Sequence, residues 1–334
     1  MTPDPAAGWL LRAYAVAAWA ACVVIALASC DRSPPAAASP GARIVSVGGA
    51  VTETVVALGE SGRLVGVDAS SVFPPEVGRL PRVGYQRTLA AEGILALAPD
   101  LILLSDEAGP PAAIEQLRRA GARIAHVPGA GTIDEAAARI AAVGAALGGP
   151  AEAKGQALAE AVRRDAHAAR ARAAALPPGP SFVLVYARGA GTLMVAGAGS
   201  PGIAMVELAG GRNAVRGITG YRPLSAEVLI AAAPEVIVVP SRGLATLGGE
   251  AGLLALPGVG DTPAGRARRI VAFDDLLLLG FGPRLGSAID ELARRLREPT
   301  KRAGGGDLAR GAGAVGAADG VANAAAGGAR GHGP

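Results

Sequence analysis

Gly84-Tyr85-Gln86-Arg87-Thr88-Leu89-Ala90-Ala91-Glu92, running on to Ala98-Pro99-Asp100-Leu101-Ile102-Leu103-Leu104, has a counterpart later in the chain. There Gly220-Tyr221-Arg222-Pro223-Leu224-Ser225-Ala226-Glu227 leads to Ala233-Pro234-Glu235-Val236-Ile237-Val238-Val239. At an offset of 135 residues Leu89/Leu224, Ala91/Ala226, Glu92/Glu227, Ala96/Ala231, Ala98/Ala233, Pro99/Pro234 and Ile102/Ile237 coincide. Each block reads as a glycine turn carrying an aromatic, then a short helix with an acid in its first turn. A proline stops the helix, and an apolar β-branched run follows as a buried strand. The offset is too long for a solenoid repeat. It predicts two similar lobes, each presenting one tyrosine at its edge, an arrangement suited to holding a ligand between them.

Outward from the first block, strands over 44–47, 64–67, 101–104 and 123–127 alternate with helices over 52–59, 112–120 and 133–147. Strand–helix alternation predicts an α/β lobe with a mostly parallel sheet. Residues 151–176 are rich in Ala, Glu, Arg and Lys and end at Pro177-Pro178-Gly179-Pro180. As one helix they span about 39 Å at 1.5 Å per residue, a rigid spine where a flexible crossing would be Gly/Ser-rich. The second lobe follows with strands over 182–186, 193–196 and 269–273, helices over 203–208 and 283–296, and a loop-rich stretch over 243–260. The predicted fold is α/β, two similar lobes with mostly parallel sheets joined by one long α-helix. Its divisions are a signal segment (1–29), a tether (30–42), an N-terminal lobe (43–150), the spine (151–176), a C-terminal lobe (177–298) and a disordered Gly/Ala-rich tail (299–334).

The chain has 334 residues, is 51% apolar and carries a formal charge of only +4. Its basic residues are scattered, so a nucleic-acid partner is not expected. Its three histidines, His126, His167 and His332, have no metal-ligand spacing with one another or with cysteine. A Gly-x-Ser-x-Gly elbow and a phosphate-loop Lys motif are missing, and Gly197-x-Gly199 reads as turn chemistry. At the N-terminus Arg12 precedes an apolar run, 13–28, that is short for a membrane span. It closes on Leu27-Ala28-Ser29-Cys30, which resembles the lipobox of a bacterial lipoprotein signal peptide. Small residues admit the peptidase and the Cys30 thiol accepts the lipid, while Asp31 resembles an inner-membrane retention signal. Removal of 1–29 leaves Cys30 as the one cysteine and Tyr85, Tyr186 and Tyr221 as the tyrosines.

Two of those three tyrosines sit in the repeated Gly-Tyr turns. Aromatics capping a lobe edge are the plain reading. Tyr85 also has Arg87 two residues on, and a guanidinium beside a phenol favours the phenolate, a hard ligand for ferric iron. Arg222 accompanies Tyr221, but Pro223 interrupts the spacing, so the second turn is not an equivalent copy. Glu92 and Glu227 stand where a helix dipole favours a carboxylate by roughly 0.3–1 kcal/mol. Their recurrence also suits one exposed acid per lobe, matched to arginines of a two-fold symmetric partner.

The run from Val83 to Leu101, with Val239-Pro240-Ser241-Arg242-Gly243-Leu244 and Asp274-Asp275-Leu276-Leu277-Leu278-Leu279-Gly280-Phe281-Gly282-Pro283-Arg284, resembles the periplasmic haem-binding proteins of bacterial ABC haem importers. These are class III periplasmic binding proteins, and the likeness covers about residues 43–297. It implies haem as the transported ligand, Tyr85 as iron ligand, and Arg87, Arg242 and Arg188 as ligand support or propionate partners. It also implies Tyr221 and Arg222 as second-lobe cleft contacts, with Glu92 and Glu227 docking on a permease dimer. The second-lobe turn reads Ala187-Arg188-Gly189, where some relatives carry a histidine, which argues against imidazole ligation. The resemblance thus leads to a periplasmic, inner-membrane-anchored monomer with no enzymatic turnover. A carrier for ferric siderophore or cobalamin shares the architecture, and a metal chelatase would need a His or acidic cluster that the sequence does not offer.

Overall fold

The computed structural model describes residue 39 and residues 41–299 apart from 189–191, so the predicted signal segment, Cys30 and the tail beyond 299 lie outside the described residues. The N-terminal lobe runs β1 (Ile44–Val47), α1 (Gly49–Ala57), β2 (Leu64–Val67), α2 (Ala91–Leu95), β3 (Leu101–Ser105), α3 (Pro111–Arg119), β4 (Ile124–Val127) and α4 (Ile133–Leu147). Its four strands form one parallel sheet in the order β2-β1-β3-β4. Every residue of β1 and β3 is buried, as a parallel sheet covered by helices on both faces requires. Helix α1 begins three residues earlier than the sequence pattern indicated. Gly48, at φ 113°, turns the chain, and a Cβ on Gly49 would lie 2.6 Å from the Ser70 carbonyl oxygen. The glycine pair therefore allows a backbone approach that apolar periodicity does not register.

Next comes α5 (Pro150–Ala175), a helix of 26 residues. The C-terminal lobe continues with β5 (Ser181–Arg188), β6 (Thr192–Ala196), α6 (Pro201–Leu208), β7 (Arg212–Asn213), β8 (Tyr221–Pro223) and α7 (Ala226–Ala232). It closes with β9 (Val236–Pro240), α8 (Ser241–Thr246), α9 (Gly249–Leu254), α10 (Pro263–Arg266), β10 (Ile270–Phe273), α11 (Asp275–Leu279) and α12 (Leu285–Arg297). Here the sheet is mixed: β5 pairs in parallel with β9 and β7, while β6 runs antiparallel to both β5 and β8. Only three residues separate β5 from β6, far fewer than a parallel crossover needs. The stretch expected to be loop-rich instead carries α8 and α9. Helix α11, which the pattern did not indicate, is started by Asp274, whose side chain accepts the Leu277 N–H at 2.9 Å.

The internal duplication extends to backbone conformation. Ala98 and Ala233, equivalent at the repeat offset, both adopt φ 43°, and the turn glycines Gly84 and Gly220 also lie at positive φ. Each alanine precedes a proline, which disfavours right-handed helical geometry at that residue. Ala233 is the C-cap of α7, whereas Ala98 lies just beyond the end of α2, and in both lobes the left-handed corner sends the chain towards the next strand, β3 or β9.

The spine carries a stripe of small buried residues: Ala151, Gly155, Ala159, Val162, Ala166, Ala169 and Ala173. Against it α4 packs so closely that a Cβ on Gly144 would lie 2.8 Å from Gly155 Cα. On the other side a Cβ on Gly286 of α12 would meet the Asp165 backbone at 3.1 Å. One apolar cluster consequently runs from Ile133 and Ile140 of α4 through Val162 and Ala166 to Phe182, Phe273 and Ile289 of the C-terminal lobe.

A second tie joins the lobes directly. Arg284, just before α12, donates to both carboxylate oxygens of Glu53 on α1, at 2.8 and 3.0 Å, and stacks 3.5 Å from the centroid of the Phe73 ring. The Glu53 side chain is only 5% exposed. Removing one partner of such a pair strands a buried charge. Arg284→Ala is expected to lower unfolding free energy by about 3 kcal/mol in urea denaturation, whereas the double variant Glu53→Gln/Arg284→Met recovers most of the loss.

Candidate functional site

A cleft of about 610 Å³ opens between the lobes. Its walls come from residues just past the carboxyl ends of the parallel strands: Gly48 and Gly49 after β1, Ala69 and Ser70 after β2, Glu107 after β3, Arg242 after β9 and Asp275 after β10. Open parallel sheets collect ligands at this end. Val51, Val72, Met194, Leu276 and Leu279 supply apolar surface between the polar groups, the mixture typical of a small-molecule site.

The rim after β2 is organised by Asp68. This buried carboxylate accepts from the Gly48 and Ser70 backbone N–H groups and from the Ser70 and Ser71 hydroxyls, all between 2.6 and 3.0 Å. The Tyr85 loop is pinned on both sides. Ala69 N donates to Gly84 O at 2.7 Å and Gly109 N donates to Gln86 O at 2.8 Å. Tyr85 is half-buried and lines the cleft. Arg87 also lines it, and its guanidinium pairs with Glu107 at 2.9 Å.

From the other lobe Tyr221 follows Gly220 and lies against Tyr186, ring centroids 5.3 Å apart and planes at 51°. Burial raises the Tyr221 phenol above its ordinary value of 10.0. Arg87 and a hydrogen bond with Ser200 oppose that rise, while Glu107 and Tyr85 add to it. The phenol of one lobe therefore feels the tyrosine, arginine and glutamate of the other. Arg242 heads α8, and its backbone N–H donates to Asp275 at 3.0 Å. Burial raises the Asp275 carboxyl, with the Arg242 N–H and charge pulling it back.

Of the residues singled out from sequence, Tyr85, Arg87, Tyr221 and Arg242 come together here. Arg222 does not: it is exposed on β8, one residue out of phase with Tyr221, and its guanidinium turns back to the Tyr221 carbonyl at 3.1 Å. Arg188 ends β5, but its side chain lies outside the described residues. Glu92 and Glu227 are exposed in the first turns of α2 and α7, away from the cleft lining. Glu107, Arg139, Asp275 and Tyr186 also line the cleft and were not singled out as site residues from sequence. What could have found three of them is position, since Glu107 and Asp275 follow strand ends and Arg139 lies one turn below a capping box. In that box Glu135 accepts from the Gly131 and Thr132 N–H groups at 2.8 and 3.0 Å, fixing the register of α4. Among the described residues, no cluster of three or more His, Cys, Asp or Glu could hold a bare metal ion.

Two α/β lobes held on one long helix, with a part-apolar, charged cleft between them, define a bilobal ligand carrier. The chain belongs to the periplasmic binding protein family, whose model matches residues 44–276. It is similar to the periplasmic heme-binding protein RhuT from Roseiflexus sp. RS-1 in its apo form, at 44% identity and a TM-score of 0.74, over 76% of this chain and 97% of that one. A periplasmic heme-binding protein from Pseudomonas aeruginosa matches at 36% identity and a TM-score of 0.69, over 76% and 92%. A vitamin B12-binding protein of Vibrio cholerae is 36% identical across 31% of this chain, a match that spans 37% of that relative's own length.

The raised Tyr221 phenol has a measurable consequence. Its folded-state pKa exceeds the unfolded one, so its stabilising contribution is complete below the ordinary value of 10.0 and is lost as pH rises through the folded pKa. Wild type is expected to lose stability more steeply than Tyr221→Phe above that pH, and the variant should lack one tyrosine's worth of the alkaline rise in tyrosinate absorbance.

Proposed function

We propose that this protein captures ferric haem in the interlobe cleft and delivers it to the permease of an ABC importer. The observation that carries the reading is the convergence of Tyr85 and Tyr221, from opposite lobes, with Arg87 and Arg242 on one part-apolar cleft. A planar macrocycle needs apolar walls, its iron needs a hard anionic ligand, and its carboxylates need guanidinium partners. Tyr85, on the pinned loop, takes the iron. Arg87 and Arg242 take the propionates, joined by Arg188 at the end of β5, and Tyr221 covers the ligand from the second lobe. The similarity to heme-binding proteins at 44% and 36% identity supports this choice of ligand.

Delivery uses the outer surface. Glu92 and Glu227 lie at equivalent places on the two lobes and meet the two halves of a permease dimer, where surface acids set register and encounter rate. Beside Glu227, Ile230 is 51% exposed, an apolar contact on the same face of α7. A lipid on Cys30 holds the protein, as a monomer, at the extracytoplasmic face of the inner membrane, and no bond of the ligand is broken.

Ferric haem added to the protein is expected to give a tyrosine-ligated absorption spectrum. Tyr85→Ala should abolish that spectrum and weaken binding at least about tenfold, or ~1.4 kcal/mol. Partial similarity to vitamin B12-binding proteins keeps a cobalamin or siderophore carrier as the second reading. Competition decides between them: displacement of haem by cobalamin at equal concentration, with an unchanged Tyr85→Ala spectrum, would overturn the haem assignment.

A further inference from the structure

The cleft contains more charge than these ligand contacts use. The Arg87 guanidinium already pairs with Glu107, and Asp275 accepts the Arg242 backbone N–H and lies in the field of its charge. A third guanidinium, Arg139, is 4% exposed and also lines the cleft. Its Nε donates to Pro128 O at 2.8 Å and its Nη1 to Gly280 O at 2.5 Å. Among the described residues no carboxylate stands within ion-pair distance of it, and of the acids acting on it at longer range Glu107 is the strongest. A charge buried this deeply requires compensation. Glu107 thus serves two guanidiniums at once, from the turn where its own N–H donates to the Ser105 hydroxyl at 3.3 Å.

We infer that Glu107 is the cleft's internal counter-ion, the group a ligand carboxylate must displace from Arg87, and that it sets the preference between acidic and neutral forms of the ligand. The inference rests on the porphyrin reading given above. An incoming carboxylate gains the Arg87 guanidinium only by separating it from Glu107, and then lies beside a second negative charge. A neutral ligand leaves the Arg87–Glu107 pair intact and meets neither cost. Glu107 therefore weakens binding of the acid selectively, while keeping Arg87 and Arg139 compensated in the ligand-free cleft. A side chain that only propped up the loop would change both ligands alike.

The full chain in detergent is titrated with ferric mesoporphyrin IX and with its dimethyl ester, reading absorbance, for wild type, Glu107→Gln and Glu107→Asp. Removing the like charge is expected to strengthen binding of the diacid by about tenfold in Glu107→Gln, with the ester unchanged. Glu107→Asp, which keeps the charge, should return the acid-to-ester ratio towards the wild-type value. A ratio in Glu107→Gln equal to or below that of wild type overturns the inference and leaves the porphyrin reading standing. No uptake of either porphyrin by wild type overturns the porphyrin reading and the inference with it.

Discussion

The geometry of the cleft depends on backbone meeting backbone at the spine. Where α4 crosses α5, Gly144 and Gly155 leave no room for a single side-chain carbon between the helices. On the far side Gly286 of α12 also comes close, a Cβ there lying 3.1 Å from the Asp165 backbone. Packing at this distance leaves little slack, because close-packed interiors repack between discrete arrangements and do not deform smoothly. The spine is thus the shared wall of both lobes, and its small-residue stripe is what lets one apolar cluster continue from one lobe into the other. Overpacking at a site of this kind costs typically 1–3 kcal/mol, comparable with a large part of a domain's net stability.

From that frame the charges in the cleft acquire their meaning. Three guanidiniums, Arg87, Arg139 and Arg242, line it together with two carboxylates, Glu107 and Asp275. Burial raises the Asp275 carboxyl, and Glu107 is engaged with the Arg87 guanidinium. The surplus is positive and sits on rigid elements: α4, locked by its capping box, and the first turn of α8. Three phenols, Tyr85 from one lobe and Tyr186 and Tyr221 from the other, complete the set. A flat ligand with carboxylates and a ferric centre would give the phenols and Arg242 partners and would compete with Glu107 for Arg87, whereas a neutral corrinoid would leave the Arg87–Glu107 pair as it stands.

Much of the fold was legible because it is repetitive. The duplicated block announced two lobes, and periodicity alone placed α4 residue for residue and located the spine to within one residue at each end. Elements decided by local backbone chemistry were less visible. Helix α1 starts early because Gly48-Gly49 can turn and approach Ser70, and α11 exists because Asp274 caps it. The antiparallel β5–β6 pair follows from a short connection, whereas strand–helix alternation suggested a parallel sheet. At the site, the tyrosines and two arginines carried a motif, but Glu107, Arg139 and Asp275 act through positions that only the assembled sheets bring together. Arg222 shows the converse, since proximity in sequence placed it beside Tyr221 while strand alternation turned it outward.

The tie between Glu53 and Arg284 bears on how such a carrier lets go. It lies directly behind the cleft, where Leu276 lines both the cleft and the small recess containing the pair. Arg139 adds a second link across the same seam through the Gly280 carbonyl. With the lobes joined at the back by a buried bidentate ion pair and at the spine by glycine contacts, thermal opening by a wide hinge would have to expose a buried carboxylate. Among the described residues the front edges carry no such ion pair; there Tyr85 sits on a loop and Tyr221 opens β8, each directly after a glycine turn. The Tyr85 loop and strand β8 lead on to α2 and α7, the helices that carry Glu92 and Glu227 on the surface. A permease that gripped these two acids, as proposed, would pull on the segments that hold Tyr85 and Tyr221, and docking and release would then be coupled through only a few residues of chain in each lobe.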